Sequence, residues 1–264
     1  GIPSVGLQHG FIYRHWLNYR HEPDEMQPIG RDRGCPIPDR TLVFDRYAEA
    51  HLREAGHFPA ARVVVTGNAR LDDLSAECAA LRPLRGSIRQ ALGLAGDQAL
   101  AVLAAKFTEI RDVLPGLVAA VSELSGMRLI IKAHPAETPA DYGPAVAGAP
   151  NISVASADAD LARLLVAADA IITMNSTVAI DGLVLGVPAL VIGLPNNLSP
   201  FVEAGAMAGA TGPAEIREGL QSLLYDQGAR RAVVAAGTAF ARRYELTSDG
   251  QAARRAVAEL LALA

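Results

Sequence analysis

The sequence predicts an α/β protein built on a doubly wound, Rossmann-like parallel sheet. Two observations support this prediction: short, continuously apolar runs recur along the chain, and segments of helical periodicity separate them. Strands that are buried on both faces show no polar alternation, and parallel strands need a crossover helix between them. In residues 167–193 an apolar run, a polar Asn-Ser-Thr turn, a helical segment and a second apolar run follow one another. This stretch has the pattern of one βαβ unit.

The other elements follow from the same signals in chain order. We predict strands at residues 4–7, 41–44, 62–66, 99–105, 128–132, 151–154, 170–173 and 189–192. We predict helices at residues 47–55, 69–81, 113–124 and 160–167, and in the tail at 213–224, 229–244 and 250–264. The helix after Thr177 is expected to end at Gly186, because glycine is common just past a helix end and Pro188 cannot continue the helix. Residues 22–38 are rich in Pro, Gly and charge and predict a linker.

Composition narrows the class of function. The chain has 264 residues, of which 50% are hydrophobic and 20% charged, as is typical of a globular protein with a full core. A net charge of -4 gives no electrostatic reason to expect nucleic acid as a partner. Cys35 and Cys78 lie far apart and have no metal-ligand spacing, so we expect neither a disulfide framework nor a zinc site. A reducing, cytoplasmic environment is therefore expected. No apolar run approaches the roughly 20 residues that span a bilayer.

The residues that follow the strands form the candidate site, because the carboxyl ends of parallel strands meet at one edge of a sheet. A helix that starts directly after such a strand directs free N–H groups and the positive end of its dipole toward that edge, where phosphate binds. Two lysines opposite such a helix end would complete a diphosphate pocket. The candidates are His9, Gly67, Asn68, Lys106, Lys132, His134, Asn175, Ser176 and Thr177.

These side chains also have structural interpretations, which the sequence leaves open. A hydroxyl before a helix is more often a cap than an anion ligand, and a lone histidine is more often a core residue than a catalyst. The structural interpretations are helix caps for Ser176 and Thr177, solvated charges for Lys106 and Lys132, a core histidine for His9 and an inert turn for His134.

Three acidic residues in loops complete the set of candidates. Glu203 is a candidate acceptor for the two hydroxyls of a ribose, and its alternative is a carboxylate that opens a helix. Asp158 and Asp160 resemble a DxD metal motif, but their place before a helix favours an N-cap, so no metal is predicted. The sequence has no GxGxxG after the first strand, no P-loop, no HExxH and no GxSxG. Dehydrogenases, P-loop hydrolases, zinc proteases and α/β-hydrolases are therefore disfavoured.

The order of four motifs resembles that of the GT-B glycosyltransferase superfamily. The motifs are Gln8-His9-Gly10, Val65-Thr66-Gly67-Asn68, Ile131-Lys132-Ala133-His134-Pro135 and Asn175-Ser176-Thr177. Within the superfamily, this order is most similar to bacterial capsule and surface-polysaccharide transferases and to CDP-glycerol glycerophosphotransferases. The second motif also resembles UDP-N-acetylglucosamine 2-epimerases. Where that group has its catalytic carboxylate, however, this chain has Gln8-His9-Gly10-Phe11.

The resemblance implies a metal-independent transferase that needs no cofactor. It would move a sugar or polyol phosphate from a CDP/CMP- or UDP-linked donor to a surface glycan or a lipid-linked acceptor. By position, His9 matches the acceptor-side base of these enzymes, His134 matches the histidine that assists the leaving phosphate, and Ser176 and Thr177 match the pair that binds donor phosphates. Phe11-Ile12 and Met174-Asn175 depart from the teichoic acid pattern. An epimerase-like enzyme and a nucleotide-binding fragment without activity stay open as alternatives.

The same resemblance implies a division into three segments. Residues 1–38 are interpreted as a remnant of an amino-terminal domain with its linker, residues 39–248 as the donor-binding Rossmann-like domain, and residues 249–264 as a helix that crosses back to the first domain. We therefore expect a carboxyl-terminal GT-B domain that binds nucleotide with little transfer activity, located in the cytoplasm or at the inner face of the membrane. The apolar face of the last helix, which includes Ala256, Leu260 and Leu261, is expected to pack on Ile12, Trp16 and Leu17 or to remain exposed and drive self-association.

Overall fold

The computed structural model describes residues 2–12, 17–27 and 34–263. The chain forms two compact units, Gly1–Asp73 with Ala241–Ala264, and Leu74–Phe240. Trp16, which we predicted to contact the last helix, lies outside the described residues. No helix in the described part of the chain has both the length and the apolar character needed to cross a membrane.

The described elements alternate as the sequence predicts. The strands are β1 (Val5–Leu7), β2 (Arg40–Val43), β3 (Val63–Val65), β4 (Ala99–Ala104), β5 (Met127–Lys132), β6 (Ile152–Ala155), β7 (Ala170–Thr173), β8 (Ala189–Ile192) and β9 (Ala208–Ala210). The helices are α1 (Arg46–Glu54), α2 (Ala69–Leu81), α3 (Arg85–Ala91), α4 (Phe107–Ile110), α5 (Leu114–Ser122), α6 (Pro139–Val146), α7 (Leu161–Ala167), α8 (Val178–Leu185), α9 (Ser199–Glu203), α10 (Pro213–Tyr225), α11 (Gln227–Arg243) and α12 (Ala252–Leu263). Leu17–Tyr19, Ala60–Arg62 and Arg82–Leu84 form 3-10 turns.

The first unit contains a three-stranded parallel sheet in the order β1-β2-β3. We assigned β1 to the segment before residue 39 and the other two strands to the segment after it, whereas the structure places all three in one sheet. Leu7 lies beside Leu42, and Val43 lies beside Val65. Residues 22–38 therefore belong to the connection between two paired strands, because parallel neighbours need a crossover of a dozen or more residues.

The second unit contains a six-stranded parallel sheet in the order β6-β5-β4-β7-β8-β9. This is the order of a doubly wound Rossmann sheet, and it reverses between β4 and β7. β4 is buried along its whole length, which explains its unbroken apolar sequence. On one face, Leu103 and Leu129 belong to a core that includes Leu117 of α5 and Leu220 of α10. The structure thus confirms the predicted α/β, Rossmann-like fold class.

Sequence patterns missed the elements with weak propensity. β9 is Ala-Gly-Ala, with neither β-branched nor aromatic residues. α6 contains Pro139, Gly143 and Pro144, which obscure a helical pattern, although Thr138 and Asp141 form a capping box at its start.

The last helix leaves apolar side chains exposed. In the first unit, Leu260 and Leu261 of α12 are 45% and 72% exposed, and Leu17 is 72% exposed, whereas Ile12 is 1% exposed. We expected this helix face either to pack on the first segment or to be exposed, and both leucines are exposed.

Alanine substitutions at two helical glycines, one in α8 and one in α3 as a control, test how closely α8 packs on the sheet. A Cβ at Gly182 would overlap Cδ1 of buried Ile171 and lie 3.0 Å from the Val187 carbonyl oxygen, whereas a Cβ at Gly86 in α3 would meet nothing within 4 Å. We predict that Gly182→Ala lowers the free energy of unfolding by about 1–3 kcal/mol through overpacking. The control Gly86→Ala should raise it by about 0.5–1 kcal/mol. Denaturant unfolding measures both, and a gain of stability in Gly182→Ala would contradict the packing described here.

Candidate functional site

The candidate residues of the second unit lie at the carboxyl edge of its sheet, around the point where strand order reverses. Lys106 follows β4, Lys132 ends β5 and His134 follows it, and Asn175, Ser176 and Thr177 follow β7. In register, Lys132 pairs with Ala104 of β4 on one side and with Ala155 of β6 on the other. The structure therefore brings these candidates to one edge, where ligands of doubly wound sheets bind. Their roles in binding stay predictions.

The turn after β7 is organised by a residue that the sequence analysis did not single out. Thr173 is fully buried, and its hydroxyl donates to the Ala104 carbonyl oxygen at 2.7 Å. Thr173 Oγ1 also accepts a hydrogen bond from Ser176 N–H at 3.0 Å. The backbone pairing of the two strands reaches Leu103 and Ile172, so this hydroxyl extends the connection beyond the last pair. In the sequence, the signal that could have identified Thr173 is a polar residue at the end of an apolar strand.

The start of α8 is only partly capped by side chains. Ser176 Oγ accepts from Val178 N–H at 3.3 Å, so the structural interpretation of Ser176 as a cap is correct. Thr177 occupies the N-cap position, but its side chain makes no capping hydrogen bond. The interpretation of Thr177 as a helix cap is therefore wrong. Its hydroxyl keeps its donor at the positive end of the helix dipole.

Asn175 is fixed by the loop after β8. Its Oδ1 accepts from Asn197 N–H at 3.3 Å, so its Nδ2 group retains its donors. Asn196 holds the same loop in place, because its Nδ2 donates to the Ile192 carbonyl oxygen at 3.0 Å. Two loops that follow neighbouring strands are thereby connected at the candidate site.

Lys132 and His134 are both oriented by short local contacts. Lys132 is half-buried and its Nζ donates to the Ala157 carbonyl oxygen at 2.9 Å, so it is not the solvated charge of the structural interpretation. His134 Nδ1 accepts from Ala136 N–H at 3.1 Å. In the neutral ring the proton therefore lies on Nε2, which makes that nitrogen a hydrogen-bond donor.

Glu137 is a second residue that the sequence analysis missed. Both of its carboxylate oxygens accept from Phe107 N–H, at 2.8 and 2.9 Å. The hydroxyl of fully buried Tyr142 lies 2.9 Å from Glu137 Oε2 and 3.1 Å from the Ala105 carbonyl oxygen. Burial raises the pKa of Tyr142, which keeps the hydroxyl protonated. The start of α4 is therefore connected to the turn after His134 and is already occupied by a carboxylate.

Lys106 and Glu203 are the exposed candidates of this unit. Lys106 directly precedes α4, and its side chain makes no hydrogen bond or ion pair with any residue that the structure describes. It is thus the solvated charge of the structural interpretation. Glu203 is the last residue of α9, so the alternative that it opens a helix is wrong. The helix starts at Ser199, with Pro200 in its first turn.

In the DxD-like pair, Asp160 has the capping role that its position indicates. Asp160 Oδ1 accepts from Arg163 N–H at 3.0 Å and caps α7. A hydrogen bond from Ser156 lowers the pKa of exposed Asp158. Within the described residues, no three His, Cys, Asp or Glu side chains form a group that could hold a metal ion.

His9, Gly67 and Asn68 belong to the first unit. His9 follows β1 and is exposed, so the interpretation as a core histidine is wrong. Gly67 has φ 87°, and a Cβ there would lie 2.8 Å from Arg255 Nη2 of α12, so glycine is needed for backbone and packing reasons. Asn68 Oδ1 accepts from Leu71 N–H at 3.3 Å and caps α2. Gly67 and Asn68 thus have structural roles in this unit.

The strand order and the polar carboxyl edge define the second unit as a Rossmann-like α/β domain. Comparison with solved structures gives two groups of similar proteins. A UDP-GlcNAc 2-epimerase from Neisseria meningitidis bound to UDP-GlcNAc is 16% identical over 91% of this chain and 69% of that one, with a TM-score of 0.64. S. aureus MnaA in a co-structure with UDP is 18% identical over 83% of this chain and 59% of that one, with a TM-score of 0.63. The wall teichoic acid polymerase TagF is 17% identical over 96% of this chain and 65% of that one, with a TM-score of 0.60.

At 16% to 18% identity these similarities show the fold alone, and it is the α/β, Rossmann-like fold that the sequence predicts. This chain spans 59% to 69% of the length of the three structures. No protein-family model and no curated protein matches the sequence.

The Thr173 hydroxyl provides a direct test of the site geometry. Thr173→Val would leave the Ser176 N–H and the Ala104 carbonyl without their partner, so we predict a loss of about 1–3 kcal/mol in the free energy of unfolding and weaker binding of inorganic pyrophosphate. Thr173→Ser keeps the hydroxyl and should keep pyrophosphate affinity. Thr238→Val, on the exposed face of α11, is the control for a lost hydroxyl. Calorimetric titration and denaturant unfolding measure both effects; unchanged pyrophosphate affinity in Thr173→Val would show that the turn does not form the anion site.

Proposed function

We propose that this chain is the donor-binding part of a GT-B enzyme that transfers a sugar or polyol phosphate from a nucleotide-activated donor to a surface glycan. The observation that carries the proposal is the start of α8. It combines a helix N-terminus with a Thr177 hydroxyl that makes no capping bond, at the switch point of a parallel sheet whose carboxyl edge also carries Lys132 and His134. The similar structures with bound UDP-GlcNAc, UDP and CDPG support a nucleotide-linked ligand for such an edge.

A comparison of the starts of α4 and α8, which follow neighbouring strands, favours α8 as the phosphate site. At α4 the first N–H is bonded to the Glu137 carboxylate, which would also repel an anion. At α8 the Val178 N–H is bonded to the neutral Ser176 Oγ, and the carboxylate of the first turn is that of Asp181, which is buried. A diphosphate would therefore meet the dipole of α8, while the Lys132 ammonium lies farther along the same edge, bonded to Ala157 O after β6.

The proposed chemistry divides the work between two groups of residues. His134 Nε2–H and Lys132 Nζ would donate to the departing phosphate and stabilise its developing negative charge. His9, exposed after β1 in the first unit, would accept the proton of the attacking acceptor hydroxyl. Asn175 would contribute its Nδ2 donors to the donor molecule.

An enzyme similar to UDP-GlcNAc 2-epimerases is the second candidate. Its support is the similarity to the Neisseria meningitidis and S. aureus structures. The two candidates differ in their need for an acceptor. Conversion of UDP-GlcNAc in the absence of any acceptor would favour the epimerase, whereas turnover that depends on a glycan would favour the transferase.

A nucleotide panel tests the binding function. Because a ligand that binds only the folded state raises the thermal midpoint by mass action, we predict that CDP, CMP or UDP stabilises the protein and that ADP and ATP do not. The measurement is the shift of the thermal midpoint across a panel that also contains GDP. The same shift with every nucleotide, or none with any, would contradict a donor site.

His134→Ala tests the catalytic role. With the donor selected from the panel, we predict a loss of turnover on the order of a hundredfold or more, because a general-acid contribution is removed. The thermal midpoint should change little, since the side chain lies at an open sheet edge. His57→Asn is the matched control: His57 is an exposed histidine with φ 52°, a conformation that asparagine tolerates. If His134→Ala unfolds while activity per folded molecule survives, the role of His134 is structural.

A further inference from the structure

A cavity of about 390 Å³ lies in the second unit at the edge of the sheet opposite the candidate site. Its wall includes Ala168, just before β7, and Val187, just before β8. These strands run toward Asn175 and the loop after β8, so the cavity is at their amino ends. We call it the arginine cavity, because Arg82, Arg85 and Arg230 line it together with Leu165, Leu185 and Val187.

The three guanidinium groups are held in place by backbone carbonyl groups. Arg82 Nη2 donates to the Leu185 carbonyl oxygen at 3.0 Å, at the end of α8. Arg85 Nε donates to Val166 O at 2.9 Å, in the last turn of α7. Arg230 Nη1 donates to Leu223 O at 3.3 Å. A guanidinium has five N–H donors, so each arginine retains donors beyond these bonds.

The positive charge at the cavity is only partly balanced. A helix carboxyl end carries about half a negative charge, and the three arginines bond carbonyls at the ends of three helices, α7, α8 and α10. Among the described residues that line the cavity there is no carboxylate. The nearby Asp169 bonds to Arg85 at 2.7 Å and to Arg89 at 3.0 Å, so its charge is shared with an arginine outside the lining. Burial raises the pKa of the lining thiol Cys78 to about 11, which keeps it neutral at physiological pH.

We propose that the arginine cavity binds a small molecule with one anionic group and an apolar body. Fixed guanidinium groups with spare donors suit a carboxylate, phosphate or sulfonate. Leu165, Leu185 and Val187 supply the apolar wall for the body of the ligand. The volume lies within the range of about 300–1,000 Å³ that is usual for small-molecule sites. This site is separate from the proposed nucleotide site, since the two lie at opposite ends of the same strands.

The probe is 8-anilinonaphthalene-1-sulfonate, a fluorescent aromatic sulfonate that has both required parts. We expect one dye molecule per chain, and a loss of affinity of about tenfold or more in Arg82→Gln and in Arg230→Gln, because each removes a charged hydrogen-bond donor. The control is Arg217→Gln, which removes a half-exposed guanidinium of α10 that pairs with Glu123 and does not line the cavity. Dye affinity that is unchanged in both cavity variants, or that falls equally in Arg217→Gln, would overturn the proposal.

Competition on the unaltered chain gives a test that does not depend on how the variants fold. Octanoate should displace the dye at lower concentration than octanol or inorganic phosphate, because each of these lacks one part of the ligand. Saturating CDP or UDP should leave the dye bound. Displacement by octanol as readily as by octanoate would show a merely apolar site, and displacement by the nucleotides would place the dye elsewhere; either result would refute the arginine cavity as an anion site.

Discussion

The candidate site depends on one buried hydroxyl. β4 and β7 lie side by side, and their backbone pairing reaches Leu103 and Ile172. The Thr173 hydroxyl then donates to Ala104 O and accepts from Ser176 N–H, so both of its hydrogen-bonding functions are satisfied in the core. This contact fixes where the turn begins and hence where α8 starts. Because a valine of the same size would leave two buried backbone groups unpaired, the position needs a hydroxyl although its surroundings are apolar.

The starts of α4 and α8, which follow neighbouring strands, differ in the side chains that bond their first N–H groups. α4 follows β4 directly, yet its first N–H is bonded to the Glu137 carboxylate. The hydroxyl of buried Tyr142 donates a hydrogen bond to the same carboxylate. The charge that would attract phosphate there is therefore already balanced within the chain. α8 has Ser176 as a neutral, weakly bonded cap instead. Helices with equivalent places in the topology thus have different electrostatic surroundings, and the difference lies in residues of the neighbouring loops.

This difference also explains what could be predicted from the sequence. The apolar runs of β4, β7 and β8 identify buried parallel strands, and topology alone then brings Lys132, His134 and Thr177 to one edge. Local patterns could not reveal Glu137 as a cap of α4, because its partner Phe107 lies 30 residues away and α6, which carries Tyr142, is obscured by proline and glycine. The same limit applied to the first sheet, where β1 pairs with a strand beyond a long connection. Capping within a few residues was predictable for Asp160, whereas contacts across elements were not.

Parallel topology gives the two edges of the second sheet opposite electrostatic character. Crossover helices begin at the carboxyl edge and end at the amino edge, so the positive dipole ends gather at one edge and the negative ends at the other. The carboxylates of Glu137 and Asp160 bond N–H groups at the positive ends of α4 and α7, whereas arginines bond the terminal carbonyls of α7 and α8 at the negative ends. The ends of α7, α8 and α10 together with the Asp169 carboxylate carry about two and a half negative charges, against the positive charges of Arg82, Arg85, Arg89 and Arg230. The surplus charge, and not the capping, therefore distinguishes an anion site from an ordinary helix terminus.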